Sequence, residues 1–96
     1  MNRIETPTIG KILREEFIEP HNISLYRLAK EIKVPPSRIL EIVHGKRRIT
    51  VQTGLKLARY FGTSEKYFIS LQADVDIREE KQNIWNELEE ISPVHA

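Results

Sequence analysis

Apolar positions recur at helical spacing along nearly the whole chain, and no stretch alternates apolar and polar residues as a half-buried strand does. Ile9, Ile12, Leu13 and Phe17 form a first stripe behind Thr8, a residue type suited to cap a helix. The run Glu19-Pro20-His21-Asn22 interrupts it. Ser24 then predicts the start of a second helix whose inner face is Leu25, Leu28, Ala29 and Ile32. Further on, Thr50 predicts the cap of a fourth helix with Val51, Leu55, Ala58 and Phe61 inward and Gly62 at its end. Ser64 predicts the cap of a fifth, carrying Phe68, Leu71 and Val75. Asp76 and Glu79 have the spacing of a capping box. That box predicts a last helical segment over about 76–92, where Ile77, Ile84, Leu88 and Ile91 recur at heptad-like steps before Pro93.

The third helix is short and tightly bounded. Pro36 suits the first helical position, where its missing N–H costs nothing, and Pro35 stands at the cap with an extended backbone. A residue before proline is pushed out of the α region, so Val34 cannot prolong the second helix. The double proline therefore predicts a rigid corner, with Ile32 and Val34 anchoring it and Ala29 allowing close helix approach. Ile39, Ile42 and Val43 make the inner stripe, and Gly45 is placed to stop the helix.

Two helices joined by a four-residue corner over about 24–44 have the spacing of a helix-turn-helix, whose second helix lies in the DNA major groove while the first crosses the backbone. With Ile39, Ile42 and Val43 inward, Ser37, Glu41 and His44 face outward, flanked by Arg38 and Leu40. Arg38 is placed to fork to guanine, Glu41 to accept from a cytosine amino group, and Leu40 to meet a thymine methyl. Glu41 has a second reading as a partner for Arg38. Lys46, Arg47 and Arg48 follow the reading helix at once, where the chain must pass the phosphates. Ser24, Tyr26 and Arg27 in the first turn of the second helix, and Pro36 at the start of the third, complete the expected DNA-binding set. Tyr26 is otherwise an ordinary half-exposed aromatic, and His44 a cation at the helix end.

Charge supports a polyanion partner. The formal net charge is only +1, yet residues 21–60 carry nine Lys/Arg against two Glu, while residues 61–96 carry three cations against eight anions. A length of 96 residues with 40% hydrophobic and 30% charged composition fits one domain over residues 1–96, which buries somewhat over ~60% of its unfolded surface. The chain has no cysteine, so disulfides and thiolate–metal sites are excluded. No apolar run is long enough to span a membrane, and the opening MNRIETPTIG lacks a signal-peptide core. The expected location is the cytoplasm.

His21, His44 and His95 are far apart with no helical i, i+4 pair, and no glycine-rich phosphate loop follows a strand. Glu15-Glu16 and Glu79-Glu80 read as solvated helix faces. No catalytic residue, metal site or cofactor is expected, and the protein is not expected to be an enzyme.

The stretches LAKEIKVPPSRILEIVHGKRRIT and LKLARYFGTSEKYFISLQAD, with GKILREEFIEP before them, closely resemble HigA-type antitoxins of the Xre/Cro-like helix-turn-helix group over roughly residues 7–80. The resemblance implies an all-α, five-helix Xre/lambda-repressor-like domain, here with a C-terminal helical extension. It implies a homodimer on an inverted-repeat operator in double-stranded DNA. It also implies a partner, a small basic HigB-type toxin of RelE-like fold that cleaves mRNA on the ribosome. The antitoxin neutralises it and represses their shared promoter. Ser37, Arg38 and Glu41 fall at the family's reading positions, with Lys46 and Arg47 toward phosphate. This sequence departs from the family at Ile9-Gly10, where proline then glycine is common, and at Gly54, where alanine is common and glycine costs up to ~1 kcal/mol of helix propensity. Tyr67-Phe68 stands for a usual Phe-Trp pair, and Leu40 for a polar residue. Leu71, Val75, Ile84 and Leu88 are the expected dimer contacts, with intramolecular packing as the other use for them. A free-standing Xre-like repressor without a toxin, and a protein-interaction module with an acidic end, are the alternative functions.

Overall fold

The computed structural model describes residues 8–95, which form helices and turns. The opening residues 1–7, most of the stretch read as lacking a signal-peptide core, lie outside the described residues, as does Ala96. Helix α1 (Ile9–Ile12) is capped by Thr8, whose Oγ1 accepts from the Lys11 N–H at 3.1 Å. It runs directly into a π-helical segment, Leu13–Ile18, closed by a bond from the Glu19 N–H to the Arg14 carbonyl at 2.9 Å. An α-period stripe puts Phe17 inward and omits Ile18. The wider π turn brings positions i and i+5 to one face, so Leu13 and Ile18 are buried and Phe17 is only partly so.

Helices α2 (Leu25–Glu31) and α3 (Pro36–Val43) follow the sequence reading closely. Ser24 Oγ accepts from the Arg27 N–H at 3.0 Å, and Pro35 caps α3 with an extended backbone. Between them Lys33 takes a left-handed φ of 59°, and its carbonyl accepts from Lys56 Nζ at 3.2 Å. Ala29 and Ile39 are fully buried, with Ile32 and Val34 close to it, so the corner is anchored as its sequence implies.

Helix α4 (Val51–Phe61) presents a different face from the expected one. Val51 is 62% exposed and Leu55 40%, while Thr53, Gly54, Leu57 and Ala58 are buried. Gly54 sets this rotation. A Cβ there would lie 2.9 Å from Ile69 Cγ1 and 3.5 Å from Ile49 Cγ2, so its missing side chain admits α5 and the preceding loop. Thr53 tolerates burial because its hydroxyl meets Thr50 Oγ1 at 3.2 Å.

Helix α5 (Tyr67–Asn83) departs from expectation at both ends. The Ser64 hydroxyl does not cap it. A turn at Glu65 and Lys66 instead brings the Ser64 backbone carbonyl to the Tyr67 N–H at 3.2 Å. Asp76 and Glu79 form no capping box, because the helix passes through them with no glycine or proline to stop it, and Asp76 binds side chains elsewhere. The bend comes at Ile84 (φ −115°, ψ 20°), after which the short α6 (Trp85–Glu89) closes the extension without reaching Pro93.

The core joins Leu13, Leu28, Ile39, Ile42, Leu57 and Phe68, each at most 1% exposed. Burial of side chains this size contributes ~1.5–3 kcal/mol each. Phe17, Phe61 and Phe68 cover one side of this core, with ring centroids 4.9–6.2 Å apart. Leu71 and Val75 pack against the same core, while Ile84 and Leu88 are half-buried on the extension.

Candidate nucleic-acid interface

The buried side of helix α3 fixes which residues face outward. With Ile39, Ile42 and Val43 locked inward, Ser37 is exposed and Arg38, Leu40 and Glu41 are partly exposed. Pro36 and His44 are exposed at either end. Across the corner, Tyr26 is 64% exposed on α2, and Arg27 meets Glu31 at 3.8 Å one turn on. Ser24, already used as a cap, is also exposed.

The chain leaves α3 through a Schellman turn. Gly45 adopts φ 75°, the Gly45 N–H donates to the Ile42 carbonyl at 3.1 Å, and the Lys46 N–H donates to the Glu41 carbonyl at 2.8 Å. This turn projects Lys46, Arg47 and Arg48, all exposed, directly from the end of α3. Glu41 pairs with Arg47, at 3.3 Å from both Nε and Nη2, rather than with Arg38. The pair is more than a third exposed on both sides, so it contributes ~0–1 kcal/mol to stability. Its consequence is geometric: the pair ties the cationic loop to the outward face of α3.

Arg48 is fixed from the other side. Asp76 Oδ2 on α5 accepts from its Nη2. Asp76 Oδ1 accepts from Gln72 Nε2 at 3.0 Å, and Gln72 Oε1 accepts from the Ile49 N–H at 2.8 Å. Gln72 is only 8% exposed, so this relay is an internal strut from α5 to the end of the cationic loop. A guanidinium has five N–H donors, and the Arg48 side chain remains 74% exposed, so donors stay available to a phosphate. Gln72 and Asp76 were not among the residues that the sequence singles out for this site. The available signal was a polar residue on the buried face that Phe68, Leu71 and Val75 define, since a buried amide must find partners.

Among the described residues no group of His, Asp and Glu could hold a metal ion, and no helix is long and apolar enough to cross a membrane.

Residues 8–68 match the family model described as helix-turn-helix. Virulence-associated protein I of Dichelobacter nodosus is 44% identical over 85 residues, spanning 83% of this chain and 79% of that protein. Among solved structures, Pseudomonas aeruginosa antitoxin HigA with the higBA promoter superposes with a TM-score of 0.86 at 30% identity, covering 94% of this chain and 99% of that one. An addiction module antidote protein of the HigA family from Coxiella burnetii gives 0.85 at 33% identity, with the same coverage. The family's members are non-enzymatic DNA-binding proteins. With its corner, the outward face of α3 and the cationic loop in their places, this chain belongs to the Xre-like helix-turn-helix family, and its structural neighbours include HigA antitoxins.

Proposed function

We propose that this protein is the antitoxin of a type II toxin–antitoxin module and the repressor of its own promoter. The observation that carries the reading is the likeness to a promoter-associated HigA antitoxin along nearly the full length of both chains, the extension included. In this reading a two-fold dimer places two α3 helices about 34 Å apart, one turn of DNA, on an inverted repeat. Ser37, Arg38 and Glu41 face base edges, with Leu40 and His44 beside them. Lys46, Arg47 and Arg48 on one strand, and Ser24, Tyr26 and Arg27 on the other, hold the phosphates, and Pro36 lies at the DNA-facing start of α3. Leu71, Val75, Ile84 and Leu88 lie toward the dimer partner. The second ligand is a small basic toxin of HigB/RelE-like type.

A tagged pull-down from the source cells, with the mass of the complex measured in solution, tests the antitoxin assignment. The expected result is a stoichiometric small basic protein that cleaves mRNA once released. A bare dimer that still binds its promoter would leave a free-standing repressor instead.

The loop carries its own prediction. Arg47→Ala is expected to reduce the slope of log K against log[salt] by ~0.9 for every phosphate that the Arg47 side chain neutralises. Titrations of operator DNA at several salt concentrations measure it, and an unchanged slope would remove Arg47 from the backbone interface.

A further inference from the structure

Two apolar surfaces of opposite charge lie uncovered on this protein. The first is a groove of about 540 Å³ between the end of α2 and α4, floored by Ile32, Leu55 and Tyr60. Leu55 and Tyr60 are 40% and 37% exposed. Lys33, Lys56 and Arg59 stand along the groove, and none forms an ion pair among the described residues. Its one carboxylate, Glu31, is engaged by Arg27.

The second surface is the extension. Beyond Gln72 no residue of α5 is buried, and α6 has no buried residue. Trp85 is 52% exposed and Ile91 67%. Between residues 84 and 95 the charges are Glu87, Glu89 and Glu90, with no Lys or Arg. This arm packs on α5 in a body measuring 50 × 34 × 21 Å, and the groove stays open.

We propose that two copies of this chain exchange arms, the acidic segment around Trp85–Ile91 of each lying in the basic α2–α4 groove of the other. The inference rests on the dimer reading above and adds an arm contact to the Leu71, Val75, Ile84 and Leu88 seam named there. Three features favour this occupant. The charges are complementary, with cations along the groove and anions along the arm. The apolar parts match, since Trp85 and Ile91 need cover and Leu55 and Tyr60 can give it. The exchange closes, because each copy gives one arm and receives one, so the assembly ends at a two-fold dimer. A phosphate backbone is a poorer occupant, having nothing to place on a floor of leucine, isoleucine and tyrosine. Because α2 opens the helix-turn-helix, an arm seated beside it also ties dimerisation to the part that crosses DNA.

Trp85 is the only tryptophan of the chain, so it reports on its own burial. The full chain is diluted through its dimer–monomer transition, followed by sedimentation equilibrium and by Trp85 emission and acrylamide quenching. Association is expected to shift the emission to the blue and to cut quenching at least twofold. Two charge-reversed chains, the double Lys33→Glu, Arg59→Glu and the triple Glu87→Lys, Glu89→Lys, Glu90→Lys, are each expected to weaken the homodimer at least tenfold. Mixed together they are expected to form a heterodimer, because one of its two arm–groove contacts joins the reversed groove to the reversed arm. Their positions are exposed, and circular dichroism checks that both chains fold. A dimer with equally quenched Trp85, or one whose constant neither variant changes, would overturn arm exchange and leave the dimer reading standing. Weakening by the groove variant alone would assign the groove to another segment and overturn the exchange too. A wild-type chain that stays monomeric would overturn both readings.

Discussion

Gly10→Ala is expected to be the most destabilising conservative substitution in this protein. The first turn of α1 lies directly on the end of α3, and a Cβ on Gly10 would stand 2.2 Å from the Val43 carbonyl oxygen and 2.6 Å from that of Ile42. These are backbone atoms at the end of a packed helix, so no rotamer change relieves the clash. Either α1 or α3 must move. Forcing even a methyl into a packed contact costs ~1–3 kcal/mol, a large share of the ~5–15 kcal/mol that holds a domain of this kind. At ~4–8 °C per kcal/mol for a small domain, the melting temperature should fall by roughly 5–20 °C. Scanning calorimetry measures the fall directly. Because the displaced partner is the reading helix, operator affinity is expected to fall even below the melting range. A Gly10→Ala protein with the melting temperature of the wild type would show that α1 does not approach α3 this closely.

Gln72→Leu is expected to have the second largest effect, and by a different route. Leucine roughly keeps the volume and the apolar surroundings, so packing changes little. It removes the acceptor for the Ile49 N–H, leaving that donor buried without a partner, and it takes from Asp76 the amide donor that holds its Oδ1, while the Asp76–Arg48 contact stays in place. An orphaned buried amide costs ~1–3 kcal/mol. The chain just after the Lys46–Arg48 loop also loses its Ile49 tie to α5, and Asp76 is left to hold Arg48 without its own support, so operator binding should weaken beyond what the stability change explains. Denaturant melts separate the first effect, and operator titration well below the transition separates the second. Hydrogen exchange at the Ile49 amide provides a local check, since that proton should become markedly less protected. Unchanged stability together with unchanged exchange would mean that the relay carries no load.

The parts of the fold that the sequence makes legible are those where local chemistry and tertiary packing agree. Pro35 and Pro36 on one side and Gly45 on the other leave α3 no freedom in its bounds, and with three apolar residues its inner face has one solution. The outward set Ser37, Arg38 and Glu41 follows from that face. Helix α4 lacked such a determinant. Val51 and Leu55 have the spacing of an inner stripe, but the decisive residue is Gly54, whose value depends on Ile69 arriving from another helix. Periodicity weighs side chains and gives no weight to a missing one.

The same reasoning explains the site. Lys46, Arg47 and Arg48 are visible as a charge run, but their orientation depends on partners that sequence distance hides. Glu41 lies six residues from Arg47, and Asp76 twenty-eight residues from Arg48. Asp76 and Glu79 also satisfy the local pattern of a capping box, and the structure spends Asp76 on a tertiary contact instead. The π-helical segment was out of reach for a related reason, since Phe17 and Ile18 are both apolar and only the packing partner decides which one is buried.

The central claim is that α3 reads base sequence while the loop after it holds phosphate. Equilibrium titration of the wild type and Arg38→Ala, each against the protein's own promoter fragment and against a scrambled duplex at one physiological salt concentration, tests it most directly. Arg38 stands in the first turn of α3 and is partly exposed, with no ion pair among the described residues. Its removal is expected to cost ~1–3 kcal/mol on the promoter fragment and little on the scrambled duplex. Equal losses on both would reduce Arg38 to a phosphate contact, and no preference for the promoter by the wild type would contradict the account as a whole.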